Sequence, residues 1–178
     1  DGKSLIYSQY REKSSVPELV LLKDVLLPAK TSLGVRDAHS VAWYDNGKTF
    51  IYSGLDGNVF KLIKSSIDGG GKTYITRNSI GDGDRQPSIK NNKILCMSTI
   101  SGVSQIVCLN DNGTEVTLLT EGVWPCWHPT ENKFLFVKNS NSICEMNLTN
   151  NQITELYSDT ESKFFTPIYS PNGKNIVF

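Results

Sequence analysis

A turn phrase recurs along this chain, and its spacing restricts the fold more than any other feature of the sequence. Residues 164–178 read FFTPIYSPNGKNIVF: an extended segment, a Ser-Pro-Asn-Gly-Lys turn, then a second apolar segment. Asn172-Gly173 between two apolar runs is a strong hairpin signal, because both residues tolerate the positive φ of a tight turn. The phrase returns at 41–53 (VAWYDNGKTFIYS) and 125–137 (PCWHPTENKFLFV), and in worn form at 87–98 (PSIKNNKILCMS). Residues 1–8 (DGKSLIYS) are its second half. The turn lysines Lys3, Lys48, Lys93, Lys133 and Lys174 stand 45, 45, 40 and 41 residues apart. A period of roughly 40–45 residues is the mark of one supersecondary unit repeated in an array.

Within each period the apolar runs are short and bounded by Asp, Asn or Gly, so they predict strands. The expected units are about 1–34, 35–79, 80–122, 123–161 and 162–178. The first holds strands at 4–10, 18–24 and 30–33. The second holds 39–44, 49–53, 58–63 and 73–77, and the third 86–89, 94–98, 105–109 and 115–120. The fourth holds 124–127, 134–138, 142–148 and 153–157. In the last of these units Cys144, Met146 and Leu148 alternate with Glu145 and Asn147, which predicts a sheet with one packed and one wetter face. No stretch sustains a helical period. The expected fold is all-β: a β-propeller of four-stranded antiparallel blades, each unable to bury both faces alone. Residues 4–8 and 175–178 are both second strands of their units. They duplicate rather than complement one another, so we expect an incomplete propeller of three full blades and two partial ones; the alternative is a closed four-blade ring with a surplus strand.

The charge balance excludes some partners. Eighteen Lys and Arg offset eighteen Asp and Glu, so the chain lacks the basic footprint of a nucleic-acid binder. No apolar run approaches the ~20 residues of a membrane span, and no Met-plus-basic leader stands before Asp1. Cys96, Cys108, Cys126 and Cys144 form no C-x2-C pair and only two histidines accompany them, so no zinc site and no cofactor is expected. The four thiols read as small buried side chains; a Cys96–Cys108 bridge across the Gly102 turn is the alternative.

Residues 167–174, Pro-Ile-Tyr-Ser-Pro-Asn-Gly-Lys, carry a resemblance. So do Pro125-Cys126-Trp127-His128-Pro129, with His in the Ser slot, and Val41-Ala42-Trp43 before its turn. The chain resembles the TolB-like propellers, whose WD-like repeats use such a phrase, and Leu118-Leu119-Thr120 is similar to their repeat ending. The resemblance covers essentially the whole chain and implies a section of a six-bladed propeller. The family includes periplasmic binding and scaffold proteins, propellers fused to serine peptidases of the prolyl oligopeptidase type, and a few carbohydrate lyases. The resemblance therefore implies a periplasmic or otherwise extracytoplasmic location.

Several local patterns invite chemistry. Gly69–Gly71 with Lys72-Thr73 suggests a phosphate loop, but the Walker pattern needs Gly where Ser66 stands, and no helix follows. Asp82-Gly83-Asp84 offers two carboxylates without the remaining calcium-loop ligands. No Gly-x-Ser-x-Gly elbow occurs. His128 is expected to bond within its own turn. On a propeller, binding residues gather where loops lead into the innermost strands at the channel mouth. Those loops carry Asp37, His39, Asp84, Arg85, Trp124 and Phe165, a mixed charged and aromatic set suited to a protein, peptide or glycan. The alternative for Trp124 and Phe165 is packing between blades. The leading functional expectation is a non-catalytic binding or scaffold propeller. Behind it stand the gating propeller of a serine peptidase and an oligogalacturonate-type lyase.

Overall fold

The computed structural model describes residues 3–12, 14–27, 29–44, 47–78 and 80–178. Asp1-Gly2 of the first half-phrase, Asp45-Asn46 of the second turn, Lys13 in the projecting 11–17 loop and Ser79 at the end of the second unit lie outside the described residues. All regular structure among the described residues is β, apart from a single 3-10 position at Gly47. The chain divides into two compact units, Asp1–Pro87 and Ser88–Phe178, with the division inside a strand.

The first unit opens with a three-stranded sheet of β1 (Leu5–Tyr10), β2 (Pro17–Leu22) and β3 (Lys30–Arg36). A four-stranded sheet follows: β4 (Ala38–Tyr44), β5 (Thr49–Asp56), β6 (Val59–Ser66) and β7 (Thr73–Tyr74). The next sheet is β8 (Asp84–Lys90), β9 (Lys93–Ile100), β10 (Val103–Asn110) and β11 (Thr117–Glu121). The second unit continues with β12 (Val123–Trp127), β13 (Lys133–Lys138), β14 (Ser142–Asn147) and β15 (Gln152–Ser158). It finishes with a two-stranded sheet of β16 (Ile168–Tyr169) and β17 (Ile176–Val177). Every sheet runs up and down in sequence order, so three full blades are flanked by two partial ones.

Strand β13 shows why these sheets need neighbours on both sides. Its run Phe134–Val137 is fully buried, and the pleat sends alternate side chains to opposite faces. Phe134 and Phe136 join Leu95, Ile106, Cys144 and Met146. Leu135 and Val137 join Ile143 and pack with Val123, Cys126, Phe164, Tyr169 and Ile176. Burying one such side chain contributes about 1.5–3 kcal/mol, and here neither face of the sheet is spared. The expected alternation in β14 is present, with Cys144 and Met146 buried and Glu145 and Asn147 half-buried, yet the second face is covered rather than open. That face has its own apolar cluster, and Glu145 on it is held by the Tyr169 hydroxyl at 2.6 Å and the Lys133 ammonium at 3.3 Å. In the first unit the corresponding core is Ile6, Leu19, Leu21, Val35, Ala38, Phe50, Tyr52 and Ile63.

A serine in the repeat ties one blade's second strand to the start of the next innermost strand. Ser8 Oγ donates to the Ala38 carbonyl at 2.6 Å, and Ser53 Oγ to the Asp84 carbonyl at 3.0 Å. The third copy, Ser98, is fully buried, and its Oγ has no hydrogen-bond partner among the described residues. The fourth position is Lys138.

Candidate functional site

The residues leading into the innermost strands share an unusual backbone. Asp37, Gln86, Trp124 and Thr166 have φ of 56°, 58°, 57° and 45°, a left-handed region that non-glycine residues adopt rarely. The last three each precede a proline, Pro87, Pro125 and Pro167. Register breaks between Ala38 and Ser40 in β4, and between Val123 and Cys126 in β12, where the strand re-aims its side chains. In the first unit Asp37 is stitched in place: its N–H donates to the Pro17 carbonyl at 2.9 Å and its carbonyl accepts from Leu55 at 3.3 Å.

This backbone brings His39 and Arg85 to one aromatic ring, Phe60 of β6. The His39 ring crosses Phe60 edge-to-face at 4.9 Å, and the Arg85 guanidinium carbon lies 4.0 Å from the Phe60 centroid. His39 and Arg85 are exposed and Phe60 is half-buried. No described residue forms a hydrogen bond or ion pair with either cation-forming side chain. Asp84 sits differently. It is fully buried, its Oδ2 accepts from the Ile80 N–H at 3.3 Å, and its carbonyl takes the Ser53 hydroxyl. Asp84 shapes the loop from inside, so its side chain is not available to a ligand. Phe60 carries no signal in the sequence; the isolated bridge between Phe60 and Gly83 brings β6 beside the start of β8, which bears Arg85.

In the second unit Trp124 is half-buried against Leu135, Val137 and Ile143 of its own sheet. Phe165 is 58% exposed. Its neighbour Phe164 does the packing, 5.5 Å from Tyr157 and 5.1 Å from Phe178 between ring centroids. Two shallow polar clefts lie one in each unit. The first, about 330 Å³, is lined by Gln9, Arg11, Glu18 and Lys30 among others, and Arg11 Nε already donates to Glu18 at 2.5 Å. The second, about 210 Å³, lies between Ser104, Glu121, Gly122 and Lys138.

No protein-family model matches this chain. No curated protein matches it either. Solved structures do. A putative TolB from Agrobacterium tumefaciens aligns over 97% of this chain and 68% of its own, with TM-score 0.76 and 20% identity. TolB from Acinetobacter baumannii aligns over 94% of this chain and 43% of its own, with TM-score 0.77 and 16% identity. The fold is that of a TolB-like β-propeller. An oligogalacturonate lyase in complex with manganese is more distant, with TM-score 0.63 and 14% identity over 92% of this chain and 50% of its own. At these identities the likeness is one of fold.

The TolB-like turn phrase explains His128. Its side chain is 3% exposed, and its Nδ1 accepts from the N–H groups of Thr130 at 3.3 Å and Glu131 at 2.9 Å. In the last copy of the phrase Ser170 Oγ accepts from the Asn175 N–H at 2.9 Å. Both side chains cap the turn, as expected of His128 from its slot. The cysteines are structural: β9 and β10 pair Cys96 with Val107 and Leu95 with Cys108. This register turns the two thiols to opposite faces, and none of the four is in a disulfide. Burial raises the thiol pKa of Cys108, Cys126 and Cys144, which disfavours the reactive thiolate. The Gly69–Gly71 stretch connects β6 to β7 as a turn closed by Asp68, which accepts from Ser66 and the Gly70 N–H. Among the described residues, no group of three or more His, Cys, Asp or Glu is placed to hold a metal ion, and no helix is long and apolar enough to cross a membrane.

Proposed function

We propose that the chain is a non-catalytic binding or scaffold segment of a TolB-like propeller, acting outside the cytoplasm. It takes a protein, peptide or glycan through the loops that lead into the innermost strands. The whole of residues 1–178 serves as one propeller segment in this reading. The observation that carries it is the His39–Phe60–Arg85 group, in which two exposed polar side chains at the starts of β4 and β8 meet an aromatic ring beside such loops. Arginine and aromatics are the residues that most often dominate binding energy, because a braced side chain loses little entropy on contact. Asp37 supports the group through the backbone, Phe165 offers a second exposed aromatic, and Asp84 and Trp124 set loop geometry.

The test is to probe peptide and glycan arrays with the full chain and to repeat the measurement with Arg85→Ala and Trp124→Ala. Arg85→Ala is expected to lower retention at least tenfold with an unchanged thermal midpoint. Trp124→Ala is expected to lower the midpoint as well, since its half-buried ring packs against Leu135, Val137 and Ile143. Absence of retention on every array would remove this reading, whereas retention indifferent to Arg85 would only take this group out of it. The location is tested by fractionating the source cells, where recovery of the chain with cytoplasmic markers alone would count against it.

A further inference from the structure

We infer that the Arg85–Phe60 pair is a carboxylate anchor, and that its ligand is a peptide presenting an acidic residue beside an apolar one. This rests on the binding reading above and names the chemistry of the site. A guanidinium lying over a ring has one face covered, while its in-plane N–H groups still point outward. Those groups form the planar fork that meets a carboxylate with two parallel hydrogen bonds. The Arg85 guanidinium carbon lies 4.0 Å from the Phe60 centroid, and Arg85 has no carboxylate partner among the described residues.

Three further observations favour a peptide. Leu55, directly opposite Phe60 in the β5–β6 register, is 42% exposed and offers an apolar contact next to the fork. The Leu55 N–H is tied to the Asp37 carbonyl, so this contact and the left-handed turn before His39 move as one piece. Sugar recognition would use an open aromatic face, and the Phe60 ring already meets both Arg85 and His39. His39 adds a second nitrogen donor within the same group.

The experiment uses the ¹⁵N-labelled full chain and three probes: N-acetyl-Leu-Asp-amide, its isostere N-acetyl-Leu-Asn-amide, and methyl galacturonate. Chemical shifts of the Arg85 Nε–H and the His39 ring are followed through each titration. The aspartyl probe is expected to shift both and to bind about 10–100-fold more tightly than the asparaginyl probe, the range for hydrogen bonds between charged groups. Arg85→Lys should lose most of that preference and Arg85→Gln all of it, with the fold checked by an unchanged thermal midpoint. Equal response to both dipeptides, undiminished aspartyl binding in Arg85→Gln, or silence at Arg85 with every probe would overturn the anchor. A methyl galacturonate affinity above that of the aspartyl probe would overturn the peptide assignment. An array ligand still retained by Arg85→Gln would show that the anchor fails while the binding function stands.

Discussion

At the residue scale the repeat distinguishes side chains that look interchangeable in the sequence. Ser53 and Ser98 occupy the same slot and both are fully buried. Ser53 satisfies the Asp84 carbonyl, whereas the Ser98 hydroxyl meets no partner among the described residues. A hydrogen bond of this kind contributes about 0.5–1.5 kcal/mol net, while a buried polar atom without one costs free energy. Ser53→Ala should therefore lose about 1 kcal/mol in urea unfolding, and Ser98→Ala should be neutral or stabilising. Equal losses in the two variants would show that the difference in partners has no energetic weight. His128 gives a second test at this scale. Its Nδ1 caps two turn amides, and an asparagine Oδ1 reaches a similar place from the backbone. His128→Ala should cost about 1–2 kcal/mol, and His128→Asn should recover most of it; failure of asparagine to rescue would assign the loss to packing against Tyr169, whose ring lies 4.6 Å away.

At the element scale the joins between blades are the restrictive places. Gly122 links β11 to β12 with φ of 151°, and a Cβ there would lie 2.6 Å from Phe136 Cδ2 and 2.9 Å from the Val137 carbonyl. Neither neighbour can retreat, since both belong to the buried strand β13. Gly102, in the β9–β10 turn, has φ of 80° and nothing within 4 Å of its would-be Cβ. Gly102→Ala should cost about 1 kcal/mol from backbone strain alone, and Gly122→Ala about 2–4 kcal/mol because overpacking adds to strain. Comparable losses from chemical denaturation would contradict the crowding at Gly122. These joins also mark the limit of what the sequence reveals. Strands such as β10 and β13 are legible because turn residues bracket apolar runs, and the errors in their bounds are a few residues. The left-handed positions Gln86, Trp124 and Thr166 are not, since nothing in a residue preceding proline announces positive φ. Candidate residues fared accordingly. The exposure of His39 and Arg85 is legible, although both stand in the first residues of β4 and β8 rather than in loops; burial of Asp84 and the meeting with Phe60 depend on contacts across repeats.

At the scale of the whole molecule, buried phenols link stability to alkaline pH. Burial raises the Tyr52 pKa to about 12, with Tyr74 adding to it, and burial with the Glu145 carboxylate raises that of Tyr169. A phenol raised in the folded state holds its proton longer than in the unfolded chain. Its contribution is fully present below the unfolded value near 10 and is lost as pH rises through the folded value. For Tyr52, 2% exposed, the loss amounts to roughly 2–3 kcal/mol between about pH 10 and 12. In the second unit other groups share the response. Burial lowers the pKa of Lys90, which acts in the opposite sense, while Lys133 is raised because Glu131 and Glu145 outweigh its own burial. Tyr52 therefore gives the cleaner reading. Urea midpoints measured from pH 9 to 12 should fall, and Tyr52→Phe should flatten that fall. Amide exchange resolves the effect by unit: the variant should slow alkaline opening in β5 more than in β13, after correction for the intrinsic pH dependence of exchange. Equal flattening in both strands would mean that the two units open as one, and an unchanged slope would remove Tyr52 as the titrating group.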